Sequence, residues 1–246
     1  MNSLSRALIL GICILLPNLA VGSGRIEWRY EGHLGPENWG FIKTDYALCG
    51  NGQQQSPVDL ADAVETTLAP LELHWRTADW ELYNSGTALE LEAQDAGYAM
   101  IDGDRFELRH ISFHAPSEHA INGVRFPMEM QYLHQNEAGD VSVISVMLKG
   151  GGRNDAFDAI MARAPVAANH RNAVGRVSTL PLVSDIGDVL RYHGSMTTPP
   201  CTEGVQWTIL TDPVVVSDAA LMAFQAIYPM NARPLQPLNR RYILTD

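Results

Sequence analysis

Residues 106–119, FELRHISFHAPSEH, place histidines at 110, 114 and 119 in one short span, a density of imidazoles that points to a metal site. The spacing of four between His110 and His114 suits one face of a helix. His-Ile-Ser-Phe-His, however, alternates polar and apolar residues and stops at Pro116, which reads as a strand. At about 3.3 Å per residue the two Cα atoms stand roughly 13 Å apart, whereas a zinc nitrogen lies about 2 Å from its metal, so these two do not share an ion. Position 112, on the same strand face, is the natural second ligand beside His114, and it is serine. The other chemistry on offer is a hydrolytic Ser112–His114 pair. Same-face neighbours on a strand lie about 6–7 Å apart, which predicts that the pair is beyond hydrogen-bond reach, and no acid is evidently placed to orient the imidazole.

The elements that must position these side chains are mostly strands. Short β-branched or aromatic runs recur between turn signals: LELHW, ALELEA, RFELRHISFH, PMEMQYLH, VSVISVML and VQWTILT. Two stretches have helical periodicity instead, DAFDAIMARA and SDAALMAFQAIY. In the second, Ser217 is a cap and Leu221, Phe224 and Tyr228 form a stripe, and both helices are expected on the outside of the sheet. With no linker, charge block or repeat dividing the chain, the expectation is a signal peptide over 1–22 and one domain over 23–246.

The signal reading rests on MNSLSR, the apolar ALILGICILL and the small residues Ala20-Val21-Gly22, and it predicts a periplasmic or secreted protein without a membrane span. Cleavage would remove Cys13 and Arg6 and no acid, taking the formal charge of -11 to about -12, which makes nucleic acid a poor partner. Two cysteines remain, Cys49 and Cys201. In an oxidising compartment such a pair reads as a disulfide, the alternative being two free buried thiols.

Three segments read as long loops, CGNGQQQSPVDL (49–60), FHAPSEHAINGVRFPMEM (113–130) and YHGSMTTPPCTEGVQW (192–207), closely resemble the α-carbonic anhydrases. Trp28, Tyr30 and GPENWG (35–40) resemble that family's aromatic N-terminal segment, and NARPLQPLNRR (231–241) its C-terminal one. The resemblance implies a mostly β fold: a central, twisted, largely antiparallel sheet of about ten strands with peripheral helices, and a conical cleft ending at zinc. That family holds its zinc with two histidines two apart on one strand and a third on the next. APSEH after His114 and PMEM before Gln131 fix the correspondence, so the ligand positions here are Ser112, His114 and Gln131.

Other histidines do not fill the gap. His119 falls on the family's structural histidine, His134 should face the other side of its strand, and His110 occupies a supporting position usually held by glutamine. His33, His74, His170 and His193 fall at no ligand position and are expected on the surface or in turns. Around the altered positions the resemblance retains Thr197, Glu118 and Thr198 at catalytic positions and Glu129 behind the third ligand, where it is placed to accept from the Gln131 amide. It also retains the apolar wall of Leu133, Val143, Met196 and Trp207. Thr87 stands where fast members carry a histidine proton shuttle.

Two functions follow. One is a silent carbonic-anhydrase-like binding or scaffold protein, with no cofactor expected and an unnamed protein or small-molecule ligand in the cleft. The other is a zinc-dependent carbonic anhydrase acting on carbon dioxide and bicarbonate through an altered ligand set.

Overall fold

The structure is a computed structural model that describes residues 27–183 and 186–246. The expected signal segment lies outside the described residues, and among the described residues no helix is long and apolar enough to cross a membrane.

In chain order the strands are β1 (Asp59–Leu60), β2 (Val64–Glu65), β3 (Glu72–Trp75), β4 (Ala78–Asn84), β5 (Leu89–Ala93), β6 (Gly97–Ile101) and β7 (Asp104–His114). They continue with β8 (Ala120–Ile121), β9 (Met128–Gln135), β10 (Val141–Lys149), β11 (His170–Val177), β12 (Val189–Ser195), β13 (Glu203–Val215) and β14 (Leu244–Thr245). Twelve of them form one sheet in the order β11-β4-β5-β7-β9-β10-β13-β12-β14-β2, with β6 attached beside β7 and β3 beside β6, while β1 and β8 make a separate pair. Among the described residues, only β10–β13 and β14–β2 pair in parallel within the large sheet. The sheet is thus largely antiparallel and has twelve strands where about ten were expected. The two-residue strands β2 and β14 are too short to leave a periodic signal.

Alternation along β7 sends Ile111 and Phe113 to one face and His110, Ser112 and His114 to the other. The first face is the main apolar core. There the helices α3 (Asp155–Met161) and α4 (Asp218–Ile227), which follow the short α1 (Trp39–Ile42) and α2 (Leu48–Asn51), bring Phe157 and Phe224 to within 6.2 and 6.3 Å of the Phe113 ring. Asn154 accepts from Phe157 N at 3.1 Å to cap α3, and Ser217 accepts from Ala220 N at 3.1 Å to cap α4 as expected. Buried Leu221 and Phe224 make the α4 stripe.

YHGSMTTPPCTEGVQW is mostly not loop: Tyr192–Ser195 closes β12 and Glu203 opens β13, leaving residues 196–202 as the connection. β12 is buried on both faces apart from His193, so it lacks the alternation that marks a half-exposed strand. Cys201 in that connection is bonded to Cys49 on α2, with a Cα separation of 5.1 Å. The pair packs with Trp39 and Tyr46 in a small cluster of its own.

Candidate functional site

The second face of β7 forms the floor of a cleft that spans β5, β7, β9, β10 and β13. Register sets its rows. Glu90 stands beside Ser112, which stands beside Gln131; Leu133 stands beside Val143, which stands beside Trp207. The cleft has a volume of roughly 540 Å³, counting the solvent at its mouth. Ser112, His114, Gln131, His110, Thr87, Thr197, Thr198, Leu133, Val143, Met196 and Trp207 all line it. Glu118 and Glu129 are fully buried behind the floor.

His114 is held from behind: its Nδ1 lies 2.8 Å from the Asn231 carbonyl oxygen and 3.7 Å from Glu118 Oε2. A carbonyl only accepts, so Nδ1 carries the proton and the Nε2 lone pair faces the cleft. That lone pair has a partner 3.3 Å away, the Ser112 hydroxyl. The expectation that this pair cannot meet is therefore wrong. The 6–7 Å spacing separates Cα atoms, whereas side chains lean along the strand and an imidazole ring reaches across the difference. The group that orients the imidazole is not an acid but a backbone carbonyl 117 residues away, with Glu118 Oε2 farther off at 3.7 Å.

Gln131 donates through Nε2 to Glu118 Oε2 at 2.8 Å and to Glu129 Oε1 at 3.0 Å, the second being the contact expected from the sequence. Glu118 also accepts from Arg233 N at 2.8 Å through Oε1. Glu129 accepts further bonds from Ser145 Oγ, His119 Nδ1 and the backbone N–H groups of Glu118 and His119, all at 2.8–2.9 Å. His119 Nε2 then lies 2.6 Å from Tyr192 Oη, which lies 2.7 Å from Ser56 Oγ. Burial by itself pushes the Glu129 carboxyl up, but the His119 charge and these hydrogen bonds together hold it at about 2.

The sign of the linkage is definite. A carboxyl that titrates lower in the folded state than its ordinary 4.5 contributes stability that is complete above 4.5 and lost as pH falls through about 2. Denaturant midpoints should fall across that window, and Glu129→Gln, starting from a lower midpoint, should flatten the fall.

His134 turns to the far side of β9, accepts from Trp75 Nε1 at 3.0 Å and is pushed down to about 3 by burial. His110 lies in the cleft wall with its pKa lowered by burial. His33, His74, His170 and His193 are exposed, and the last three sit on strands. Reading the sequence missed Glu90, a half-buried cleft carboxyl whose pKa is raised by burial and then by Glu92. The alternation in LELEA shows that Glu90 and Glu92 share a face, but only the pairing of β5 with β7 shows that this face meets Ser112. Asn231 and Arg233 were also missed; they reach the site from the C-terminal segment.

A large, mostly antiparallel sheet whose central strands floor a cleft with histidine, backed by a buried Glu–His–Tyr network, is the architecture of an α-carbonic anhydrase domain. Comparison agrees, since the family model for eukaryotic-type carbonic anhydrase matches residues 34–246, and the chain belongs to that family. It is 33% identical to a carbonic anhydrase of Pectobacterium carotovorum, covering 99% of each chain. The structure of an α-carbonic anhydrase from Thermovibrio ammonificans in complex with the inhibitor sulfanilamide superposes with a TM-score of 0.86 at 36% identity, covering 88% of this chain and 98% of that one. Dioscorin complexed with ascorbate superposes with a TM-score of 0.84 at 32% identity, covering 89% of this chain and 97% of the other.

Proposed function

We propose that this protein is an exported member of the family whose cleft does not carry the catalytic zinc and which binds a small molecule or protein instead of hydrating carbon dioxide. The observation that carries this reading is the donor set. The three expected ligand positions offer one imidazole already bonded to a hydroxyl, that serine hydroxyl, and an amide committed to two carboxylates. Among the described residues no group of three or more His, Cys, Asp or Glu side chains is arranged to hold a metal ion. Zinc takes imidazole, thiolate or carboxylate, while neutral oxygen donors suit harder cations, so the residues present do not fit it. Export, with residues 1–22 removed and 23–246 forming the mature domain, is supported by the signal-like N-terminus and by a disulfide that needs an oxidising compartment.

Protein prepared with zinc in modest excess and then desalted should retain far less than one equivalent and hydrate carbon dioxide no faster than buffer. Stoichiometric zinc with chelator-sensitive activity would overturn the proposal. One observation favours a second reading, metal-free acyl transfer by Ser112 and His114: the 3.3 Å bond between them, with Nδ1 fixed by Asn231. The same preparations separate the two readings, because ester turnover that resists chelator and is lost in Ser112→Ala belongs to the pair alone.

A further inference from the structure

The reverse side of β12 and β13 carries a buried cation with hydrogen bonds unmade. By register Arg191 stands opposite Thr208 and His193 opposite Gln206, so these four project from the face away from Tyr192 and Trp207. With Asp102 and Tyr242 they line a second pocket of roughly 450 Å³, counting the solvent at its mouth. The Arg191 side chain is 7% exposed and donates from Nη1 to Asp102 Oδ1 at 2.6 Å, while its Nε and Nη2 are buried without a partner among the described residues. Those two donors form one edge of the guanidinium, and their parallel N–H bonds match the two oxygens of a carboxylate. Gln206 adds a buried Oε1 that also lacks a partner and needs a donor.

We propose that this pocket binds a small hydroxycarboxylate, its carboxylate held by the unpartnered Nε–Nη2 edge of Arg191 and its hydroxyl donating to Gln206 Oε1. Arg191 and Gln206 are diagonal neighbours across the ladder, about 7–8 Å apart, and their long side chains bring a two- or three-carbon acid within reach of both. A plain carboxylate leaves Gln206 unmet. A dianion such as phosphate sets two negative charges beside Asp102 against a single guanidinium, so a monoanion is the better match.

Calorimetric titration of the mature protein at constant ionic strength, with glycolate, acetate and sulfate as probes, tests this. Glycolate should bind saturably, with acetate about tenfold weaker and sulfate weaker still. Arg191→Lys keeps a charge but loses the fork and should weaken glycolate by about tenfold or more. Gln206→Leu should remove the advantage of glycolate over acetate. Asp102→Asn, at a left-handed turn position (φ 53°) that asparagine tolerates, should tighten binding by removing a negative charge, and it carries the test together with Gln206→Leu if Arg191→Lys folds poorly. No saturable glycolate binding, equal binding of acetate, or a Gln206→Leu protein that discriminates as before would overturn the proposal and leave the fork to water.

Discussion

Protein carrying Ser112→His together with Gln131→His is expected to bind zinc at one equivalent and to survive desalting with it, where the starting protein does not. The structure supplies what the two new side chains need. His114 already presents Nε2 to the cleft, with Nδ1 fixed by the Asn231 carbonyl. Position 112 sits two residues away on the same face, and position 131 is its direct partner on β9. Removing the Gln131 amide also frees Glu118 Oε2 to orient an imidazole there, while Glu129 Oε1 loses one donor and keeps Ser145 Oγ and His119 Nδ1. Such outer partners are worth about 10 to 100-fold in metal affinity. Either substitution alone leaves two imidazoles, so each single variant should bind far more weakly than the double, with strong non-additivity between them. Equilibrium dialysis reports the stoichiometry, and a zinc-dependent rise in melting temperature, seen in the double variant alone, checks that binding is to the folded protein. A folded double variant that binds zinc no better than its parent would mean either that positions 112 and 131 are not the ligand positions or that the cleft has changed shape beyond repair by these two side chains.

The second large effect concerns the disulfide. Cys49 and Cys201 are separated by 152 residues, and in the chain-entropy account closing a loop of that length stabilises the fold by about 5 kcal/mol. The bridge also anchors the β12–β13 connection, which bears Thr197 and Thr198, to α2. The Cys49 carbonyl accepts from Arg233 Nη2 at 2.9 Å, and the backbone N–H of Arg233 reaches Glu118. Reduction, or Cys49→Ala with Cys201→Ala, should therefore lower unfolding free energy by several kcal/mol in urea titrations and loosen the cleft wall at 197–198 in hydrogen exchange. A loss below about 1 kcal/mol would mean that the reduced chain stays constrained by other contacts.

The sequence by itself determined the family, and it names the side chains at the three expected ligand positions, because both are read from contiguous segments. FHAPSEHAINGVRFPMEM runs unbroken from His114 through Glu118 to Glu129, and alternation along a strand is enough to put Ser112 beside His114 and to turn His134 away. It also selected Cys49 and Cys201 once Cys13 is assigned to a signal segment. Only tertiary structure decided what these groups do to one another. Glu90 faces Ser112 through the pairing of β5 with β7. Asn231, 117 residues from His114, sets which ring nitrogen carries the proton, and Arg233, 115 residues from Glu118, fills one of its oxygens. The Ser112–His114 bond was misjudged for a related reason: strand rise fixes where Cα atoms lie, while side-chain reach and direction depend on what packs behind them. The unpartnered edge of Arg191 is invisible in the sequence as well, since an arginine lacks partners only when the neighbouring strands have buried it and offered too few acceptors.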